Sequence, residues 1–313
     1  MIVIVCPGQG SQTPGFLAPW LELPGLRDQL TALSDSAEVD LVTHGTTSDE
    51  ETIKDTAVAQ PLLVGAGLLA LRALTGSGDG GYAAAPAGTG ALAGHSVGEI
   101  TAAAAAGVLT ETDAMRFVAQ RGRAMAQASA ATPTGMSAVL GGDPDEVIAG
   151  IERHGLTPAN VNGAGQVVAA GSLDELAAFA ADPPARARVI PLKVAGAFHT
   201  HFMQPAVGEL QADWTDHDVS DPGVTLISNR DGDVVTDGRE VLERLVAQVS
   251  NPVRWDLCME RFADLGVTAI IELPPAGTLV GLAKRALKGV ELLALKTPDD
   301  LDAARTLIKE HSA

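Results

Sequence analysis

The segment GHSVGE at residues 94–99 constrains this chain more than any other. A short apolar run, 91–93, precedes it, and an alanine-rich segment that extends to residue 106 follows it. This order predicts a strand, a sharp turn with Ser96 at its apex, and a helix whose free backbone amides lie beside the serine hydroxyl. Such amides could stabilise an oxyanion. The segment also fits an ordinary glycine-rich turn, so taken alone it leaves two interpretations open.

The composition excludes several classes of protein. The 313 residues contain 46% hydrophobic and only 3% aromatic side chains, which predicts a large core of small aliphatic groups. A formal net charge of −18 argues against nucleic acid or an anionic membrane as partner. No apolar run is expected to span a membrane, and the amino terminus lacks the features of a signal peptide. Cys6 and Cys258 show no metal-ligand spacing, which indicates a reduced, cytoplasmic protein.

The amino-terminal segment predicts the first strand of an α/β core. Ile2 to Cys6 is a continuous apolar run, typical of a strand that is buried on both faces of a parallel sheet. It ends in a glycine-rich loop, 7–12, at the sheet edge where α/β folds bind ligands. Further along, Thr110 predicts the N-cap of a helix that runs to about residue 130. Gly122 lies inside this helix, and a close packing contact or an approaching substrate would explain it.

Residues 133 to 192 predict a separate small unit. Strands are expected at 135–140, 157–162, 166–170 and 188–192, with helices at 144–154 and 173–181. This βαββαβ order is that of a ferredoxin-like unit. We therefore predict an α/β, hydrolase-like core with a mainly parallel sheet at residues 1–131 and 194–313. A ferredoxin-like subdomain is inserted at residues 132–193.

The chain has seven histidines that could act as a base for Ser96. His95 neighbours the serine, but adjacent strand residues point to opposite faces, so we expect a structural role for it. His199 and His201 follow the segment that returns to the core, and the residues alone do not choose between them. The other four lie in polar or terminal stretches and are expected to be exposed: His44, His154, His217 and His311.

Ten segments together carry a more specific pattern. In chain order they are PGQGSQ at 7–12, Gln60-Pro61, GHSVGE at 94–99, RGRAM at 121–125, Asn160 and Asn162, GQVVxAG at 165–171, GAFHTHFMQPA at 196–206, Ser228-Asn229, Gln248 with NPVRW at 251–255, and ELPPxGTL at 272–279. With these segments the chain resembles malonyl-CoA:acyl-carrier-protein transacylases, the acyltransferases of type II fatty-acid synthesis. That family is related to the acyltransferase domains of polyketide synthases. The match covers nearly the whole chain.

The resemblance implies a role for each catalytic residue. Ser96 is implied to be the acylated nucleophile, and His199 the general base and acid. His199 fits the family pattern H-x-x-x-M-x-P-A, whereas His201 falls at a variable position. The backbone carbonyl of Gln248 would orient His199, which is possible because a neutral carbonyl can fix an imidazole tautomer. The amides of Gln9 and Val97 would form the oxyanion hole.

The resemblance also implies a malonyl-binding pocket. Arg121 would pair with the free carboxylate of the malonyl group, a contact that guanidinium makes through two parallel hydrogen bonds. Phe198 would crowd an α-methyl group, and a methyl is worth only ~1–3 kcal/mol, so discrimination against methylmalonyl would be partial. The remaining substrate-binding residues are Gln60, Met125, Asn160 and Asn162.

The implied reaction is a ping-pong transfer from malonyl-CoA to acyl carrier protein, without a metal or redox cofactor. We expect a monomer. Because the carrier proteins of this family are acidic, docking requires a basic patch on an acidic protein. The candidates are Arg186, Arg188 and Lys193 in one cluster and Lys284, Arg285 and Lys288 in another.

Two alternative functions share parts of this pattern. An α/β-hydrolase-type esterase or thioesterase also uses GxSxG, but its acid lies between the serine and the histidine in the chain. No acidic residue between Ser96 and His199 lies at an evident strand end, and neither Arg121 nor the inserted unit is explained. A non-enzymatic scaffold that binds carrier protein is the third interpretation.

Overall fold

The computed structural model describes residues 1–76 and 84–312, which form two β-sheets and the helices around them. The strands are β1 (Ile2–Cys6), β2 (Thr89–Gly94), β3 (Thr134–Gly141), β4 (Thr157–Gly163), β5 (Gln166–Ser172), β6 (Ala187–Pro191), β7 (Thr225–Ile227), β8 (Val234–Val235), β9 (Val253–Arg254), β10 (Ala269–Glu272) and β11 (Glu291–Ala294). The α-helices are α1 (Leu26–Ala37), α2 (Leu41–Thr46), α3 (Glu50–Lys54), α4 (Thr56–Thr75), α5 (Gly98–Ala105), α6 (Glu111–Ala131), α7 (Pro144–Arg153), α8 (Leu173–Ala181), α9 (Gln204–Trp214), α10 (Gly238–Ala247), α11 (Trp255–Asp264), α12 (Thr278–Ala286) and α13 (Leu301–His311).

The larger sheet has the strand order β11-β10-β1-β2-β7-β8. Its neighbours are parallel from β11 to β7, and β8 is added antiparallel at one edge. Successive residues of β1 enter different cores: Ile2 and Ile4 pack on one face, and Val3 and Val5 on the other. Burial on both faces is why β1 is apolar throughout. The predicted α/β core with a mainly parallel sheet is confirmed.

Helix α4 corrects one expectation about membrane spans. By length and apolar composition its 20 residues could cross a membrane. Within the fold, however, 83% of its apolar window is buried, as in the core helix of a globular domain. Helix α6 packs against it at Gly122, where an added Cβ would lie 2.9 Å from the carbonyl oxygen of Thr56. Close helix packing therefore explains the glycine in the middle of α6.

The smaller sheet has the strand order β6-β3-β5-β4-β9. The first four strands are antiparallel neighbours in the order of a ferredoxin-like unit, as predicted. Helices α7 and α8 cover one face through a core that includes Val139, Ile151 and Phe179. Strand β9 was not expected here: it comes from the carboxyl-terminal half and pairs in parallel with β4 at Asn160 and Val161. The boundaries at residues 132 and 193 stay a prediction.

Candidate active site

The turn between β2 and α5 places Ser96 at the carboxyl edge of the larger sheet. Ser96 has φ 53°, in the left-handed region that residues with a side chain rarely adopt. An added Cβ at Gly94 would lie 2.1 Å from the backbone nitrogen of Glu99, and one at Gly98 would lie 2.1 Å from the carbonyl oxygen of Cys6. Both glycines are therefore required for the strained turn that projects the serine.

His199 is the histidine that contacts the serine. Its Nε2 lies 2.7 Å from Ser96 Oγ, and its Nδ1 lies 2.9 Å from the backbone carbonyl oxygen of Gln248. Because a carbonyl only accepts, Nδ1 carries the proton and Nε2 is left to accept the serine hydroxyl. His199 also has a positive φ, 62°, and its amide donates to Val249 at 3.2 Å. His201 is exposed in the short helical turn that follows.

The surroundings of His199 keep its ring neutral. Burial and the nearby charge of Arg121 lower the pKa of His199 to about 3. At neutral pH the ring is therefore unprotonated and can accept the serine proton. The charged guanidinium of Arg121 and the neutral imidazole of His199, both removed from solvent, thus lie near the same serine hydroxyl.

Two residues whose backbone amides lack a protein acceptor among the described residues line the same cavity as the serine. Val97 occupies the N-cap position of α5, where no side chain caps the helix, and Gln9 lies in the loop after β1. Both line one cavity with Ser96. Within residues 1–76 and 84–312, neither amide N–H donates to a protein acceptor. Both are free to donate to an oxygen in the cavity.

Arg121 extends from α6 into the floor of the cavity and is only 1% exposed. Its Nη1 donates to Gln60 Oε1 at 2.6 Å, and its Nη2 donates to Gln248 Oε1 at 2.7 Å. Nη2 also lies 3.5 Å from Ser96 Oγ, whereas Nε has no partner among the described residues. Burial lowers the pKa of Arg121 to about 10, so the group stays charged at neutral pH. A buried charge that rests on neutral amide oxygens favours an anionic ligand.

The cavity has a volume of about 410 Å³ and lies between the two sheets. Small-sheet residues such as Met136 and Val168 form one wall, and the start of α12 contributes Leu279. The structure brings these further predicted residues to the cavity: Gln60, Met125, Asn160, Asn162 and Phe198. Gln248 is connected to them through Arg121 and His199. Among the described residues, no three metal-ligating side chains lie together.

His95 also lines the cavity, although it does not contact Ser96 Oγ. Strand β2 ends at Gly94, so the alternation of faces on which the expectation for His95 rested does not extend to it. Its Nε2 lies 2.9 Å from Asn162 Oδ1, and its ring meets Trp255 edge-on at 5.7 Å. His95 therefore joins the turn to the small sheet.

Glu99 is a buried residue of the site for which the sequence predicted no role. Its Oε1 accepts from the backbone N–H of Asn229 at 2.5 Å, and its Oε2 accepts from Gln248 Nε2 at 2.5 Å. Burial raises its pKa to about 7, against these hydrogen bonds. Glu99 and its partner Asn229 each lie in a segment that carries the family resemblance, GHSVGE and Ser228-Asn229, but nothing in the sequence connects the two segments.

Both predicted basic clusters are exposed, and one of them includes a residue that lines the cavity. Arg186, Arg188 and Lys193 flank edge strand β6, and Lys193 itself lines the cavity mouth. The second cluster is at the end of α12 and beyond it: Lys284, Arg285 and Lys288. The first turn of the same helix lines the cavity.

A serine in a strained turn, a neutral histidine at its hydroxyl and two unpartnered amides define a site for acyl transfer through serine. Comparison with known proteins agrees with this class. Residues 3–309 match the family model for the acyl transferase domain. The chain belongs to this family and is an acyltransferase.

Its relatives share nearly their entire length with it. The chain is 53% identical over 308 residues to the malonyl CoA-acyl carrier protein transacylase of Mycobacterium tuberculosis, covering 98% of this chain and 100% of that protein. It is 32% identical over 310 residues to the Escherichia coli protein of the same name, covering 97% and 98%.

Solved structures agree in fold. The crystal structure of MCAT from Mycobacterium tuberculosis superposes with a TM-score of 0.90 at 51% identity, over 97% of this chain and 99% of that one. A malonyl-transacylase in complex with its type II PKS acyl-carrier protein superposes with a TM-score of 0.87 at 29% identity, over 98% and 99%.

Proposed function

We propose that this acyltransferase moves the malonyl group of malonyl-CoA to the phosphopantetheine thiol of an acyl carrier protein, in fatty-acid or polyketide synthesis. The observation that carries the proposal is the placement of the Arg121 guanidinium 3.5 Å from the hydroxyl that His199 activates. A carboxylate on the acyl group and the reacting thioester can then be bound side by side. The relatives described above act on the same pair of partners by name.

In the first half-reaction, Ser96 Oγ attacks the thioester carbonyl of malonyl-CoA while His199 Nε2 takes the hydroxyl proton. The tetrahedral oxyanion accepts from the amides of Val97 and Gln9. The C–S bond then breaks, and the coenzyme A thiol leaves with the proton from His199. The carbonyl of Gln248 holds the ring through Nδ1 and stabilises the imidazolium that forms briefly.

The second half-reaction reverses the first with a different thiol. His199 Nε2 takes the proton of the carrier's phosphopantetheine thiol, and the sulfur attacks the malonyl-Ser96 ester. The oxyanion forms again at the same amides, the C–O bond breaks, and Ser96 Oγ regains a proton from His199. These steps require no metal or redox cofactor.

Selectivity rests on two side chains. Arg121 favours a dicarboxylic acyl group over acetyl, because its charge has no direct carboxylate partner in the described part of the chain. Phe198 lines the cavity next to His199 in sequence and is 8% exposed, a position from which its ring would crowd an α-methyl group.

We further propose that the acidic carrier docks at the cavity mouth, on one or both of the exposed basic clusters. We place the reaction in the cytoplasm, since both cysteines are free and buried. A monomer suffices for the proposed reaction, since the residues assigned to it come from one chain.

Intact-mass analysis tests the proposal directly. The protein is mixed with malonyl-CoA, freed of excess thioester by rapid desalting, and then given carrier protein in its phosphopantetheine form. Samples are quenched before and after the carrier is added. We expect a stable malonyl adduct that disappears as malonyl-carrier forms. Rapid release of free malonate would support the hydrolase alternative, and the absence of any reaction would support a binding scaffold.

A further inference from the structure

The side-chain amide of Gln248 lies between two buried charges. Its Oε1 accepts from Arg121 Nη2 at 2.7 Å, and its Nε2 donates to Glu99 Oε2 at 2.5 Å. The second Nε2 hydrogen points to the backbone carbonyl of Ser96, 3.0 Å away. All three residues are buried. The arrangement is a chain of guanidinium, amide and carboxylate that ends beside the nucleophile.

Only one orientation of this amide satisfies its neighbours. If the amide were flipped, Oε1 would face the Glu99 carboxylate and the Ser96 carbonyl, both of which only accept. The NH₂ group would then face the guanidinium, which only donates. Ionised Glu99, together with the Ser96 carbonyl and the guanidinium itself, therefore fixes which end of Gln248 is presented to Arg121.

The position of Glu99 also matters for the charge of the site. A buried guanidinium requires compensation, and the charge of Glu99 raises the pKa of Arg121 against the effect of burial. A carboxylate in direct contact would occupy the donors that an anionic substrate needs. Because the Gln248 amide lies between them, Glu99 compensates the charge of Arg121 without binding its N–H donors directly. An anionic substrate can then replace the neutral amide oxygens at those donors.

We propose that Glu99 is a positioning residue for dicarboxylic acyl groups, acting on Arg121 through the side-chain amide of Gln248. This proposal rests on the proposed function. The main-chain carbonyl of Gln248, which orients His199, is held separately by the helical turn Gln248–Ser250. Loss of Glu99 therefore removes one of the two acceptors of Gln248 Nε2, which weakens the hold on the side-chain amide, and leaves the contact between His199 and Ser96 in place.

The proposal predicts a pH dependence that is specific to malonyl. The charged or titratable groups that act on Glu99 or on which it acts are Arg121 of α6, Arg244 of α10 and Cys258 of α11. The pKa of Glu99 is raised to about 7, so the carboxyl gains a proton as the pH falls through that value. Malonyl loading should then fall relative to acetyl loading. The titrations of His199 and of coenzyme A are common to both substrates and cancel in the ratio.

The test compares loading of Ser96 from malonyl-CoA and acetyl-CoA in wild type, Glu99→Gln, Gln248→Ala and the double variant. A glutamine oxygen at position 99 cannot serve both Asn229 and Gln248 as a carboxylate does. We expect the malonyl-to-acetyl ratio of kcat/KM at pH 8 to fall roughly ten- to hundredfold in Glu99→Gln, the range for a lost hydrogen bond to a charged group. The double variant should match Gln248→Ala, since Glu99 acts through that side chain.

Glu272→Gln is the matched control, because Glu272 is a second buried carboxylate that makes no contact with Arg121. Its ratio should stay that of wild type. The proposal would be overturned if Glu99→Gln lowered kcat/KM equally for malonyl and acetyl loading. It would also be overturned if the effects of the two substitutions were additive in the double variant. Should Glu99→Gln not fold, the pH dependence of the malonyl-to-acetyl ratio of kcat/KM in wild type decides. A ratio that does not change between pH 5.5 and 8.5, about 1.5 units on each side of the raised pKa of Glu99, contradicts the proposal. Failure of wild type to load malonyl at all would instead overturn the proposed function.

Discussion

Two helices of the core, α5 and α12, begin just after β2 and β10, the two strands on either side of β1 in the parallel sheet, yet their first turns are used differently. At α12, the Glu272 carboxylate accepts from the backbone amides of Gly277, Leu279 and Val280 at 2.8–3.0 Å. The protein's own side chain thus fills that end. At α5, no side chain caps the helix, and the glutamate of its first turn, Glu99, bonds to Asn229 and Gln248 instead.

This difference shows why the amino-terminal end of one helix, α5, can serve as a reaction site whereas that of α12 cannot. The free N–H groups at the start of a helix attract negative charge, and a nearby carboxylate satisfies them. At α12 the anion is a permanent part of the fold, so the junction adds stability. At α5 the amides of Gly98, Glu99 and Ile100 donate to backbone carbonyls, whereas the amide of Val97 stays available. The anion expected at Val97 is the transient oxyanion of the acyl group. Both junctions hold a non-glycine residue with positive φ, Ser96 at 53° and Ala276 at 43°. The buried charge of Arg121, by contrast, lies beside the α5 junction.

The largest expected effect on the difference between the two junctions comes from removing the charge of Arg121 beside the start of α5. Arg121→Ala should lower kcat/KM for malonyl loading by about two orders of magnitude or more, because a buried charged contact to the substrate is lost. Acetyl loading should be spared or improved. Stopped-flow loading with both thioesters measures this, with Arg121→Lys as the conservative control that keeps the charge but loses the forked geometry. Equal loss of both substrates would refute the selectivity role.

The two glutamates should differ in their effect on stability. Glu272→Gln replaces a carboxylate that accepts three amides and should lower the free energy of unfolding by roughly 1–3 kcal/mol. Glu99→Gln should be less costly and becomes favourable as pH rises. The pKa of Glu99 in the fold is raised from 4.5 to about 7, so wild type loses stability as the pH rises between these values.

Chemical denaturation across this pH range measures the second effect. Relative to Glu99→Gln, wild type should lose on the order of 1–3 kcal/mol between pH 4.5 and 7, a loss that the neutral variant does not share. Parallel pH curves for the two proteins would show that Glu99 does not titrate in this range. If Glu99→Gln were more stable than wild type but less selective for malonyl, Glu99 would be a residue that serves function at a cost in stability.

The smallest expected effect is at the cavity mouth. Reversing two charges on the edge of the small sheet that do not line the cavity, Arg186→Glu with Arg188→Glu, should raise KM for carrier protein several-fold at low salt, and less at high salt. Loading from malonyl-CoA serves as the internal control for an intact site. The same reversal at Lys284 and Arg285 decides which cluster docks the carrier. If KM for carrier protein stayed the same in both charge-reversal variants, docking on these two clusters would be contradicted.

The sequence predicted those features that local pattern encodes. The strained turn follows from GHSVGE, and the four ferredoxin-like strands were predicted within one or two residues at most ends. Helix α8 was predicted with the bounds that the structure has. The choice of His199 over His201 came from resemblance, since their local surroundings in sequence are alike.

Features set by distant contacts were missed. Strand β9 has two residues, and its pairing with β4 depends on the whole fold. The same holds for short or edge elements such as α2, α3, β8 and β11, and α13 was also not predicted. The Gly/Ala-rich stretch at 75–89 has no periodic pattern and predicts a loop, and residues 77–83 of it lie outside the described residues. The role of Glu99 depends on partners 130 and 149 positions away in the chain, which no local pattern reveals.

The most direct test of the account is the location of the acyl group after a single turnover. The protein is quenched after brief exposure to malonyl-CoA, digested, and mapped by mass spectrometry, with Ser96→Ala treated in parallel. We expect one malonyl group on the peptide that contains residues 94–99, and none in the variant. A malonyl adduct that persists in Ser96→Ala, or that maps to a different peptide in wild type, would contradict the account.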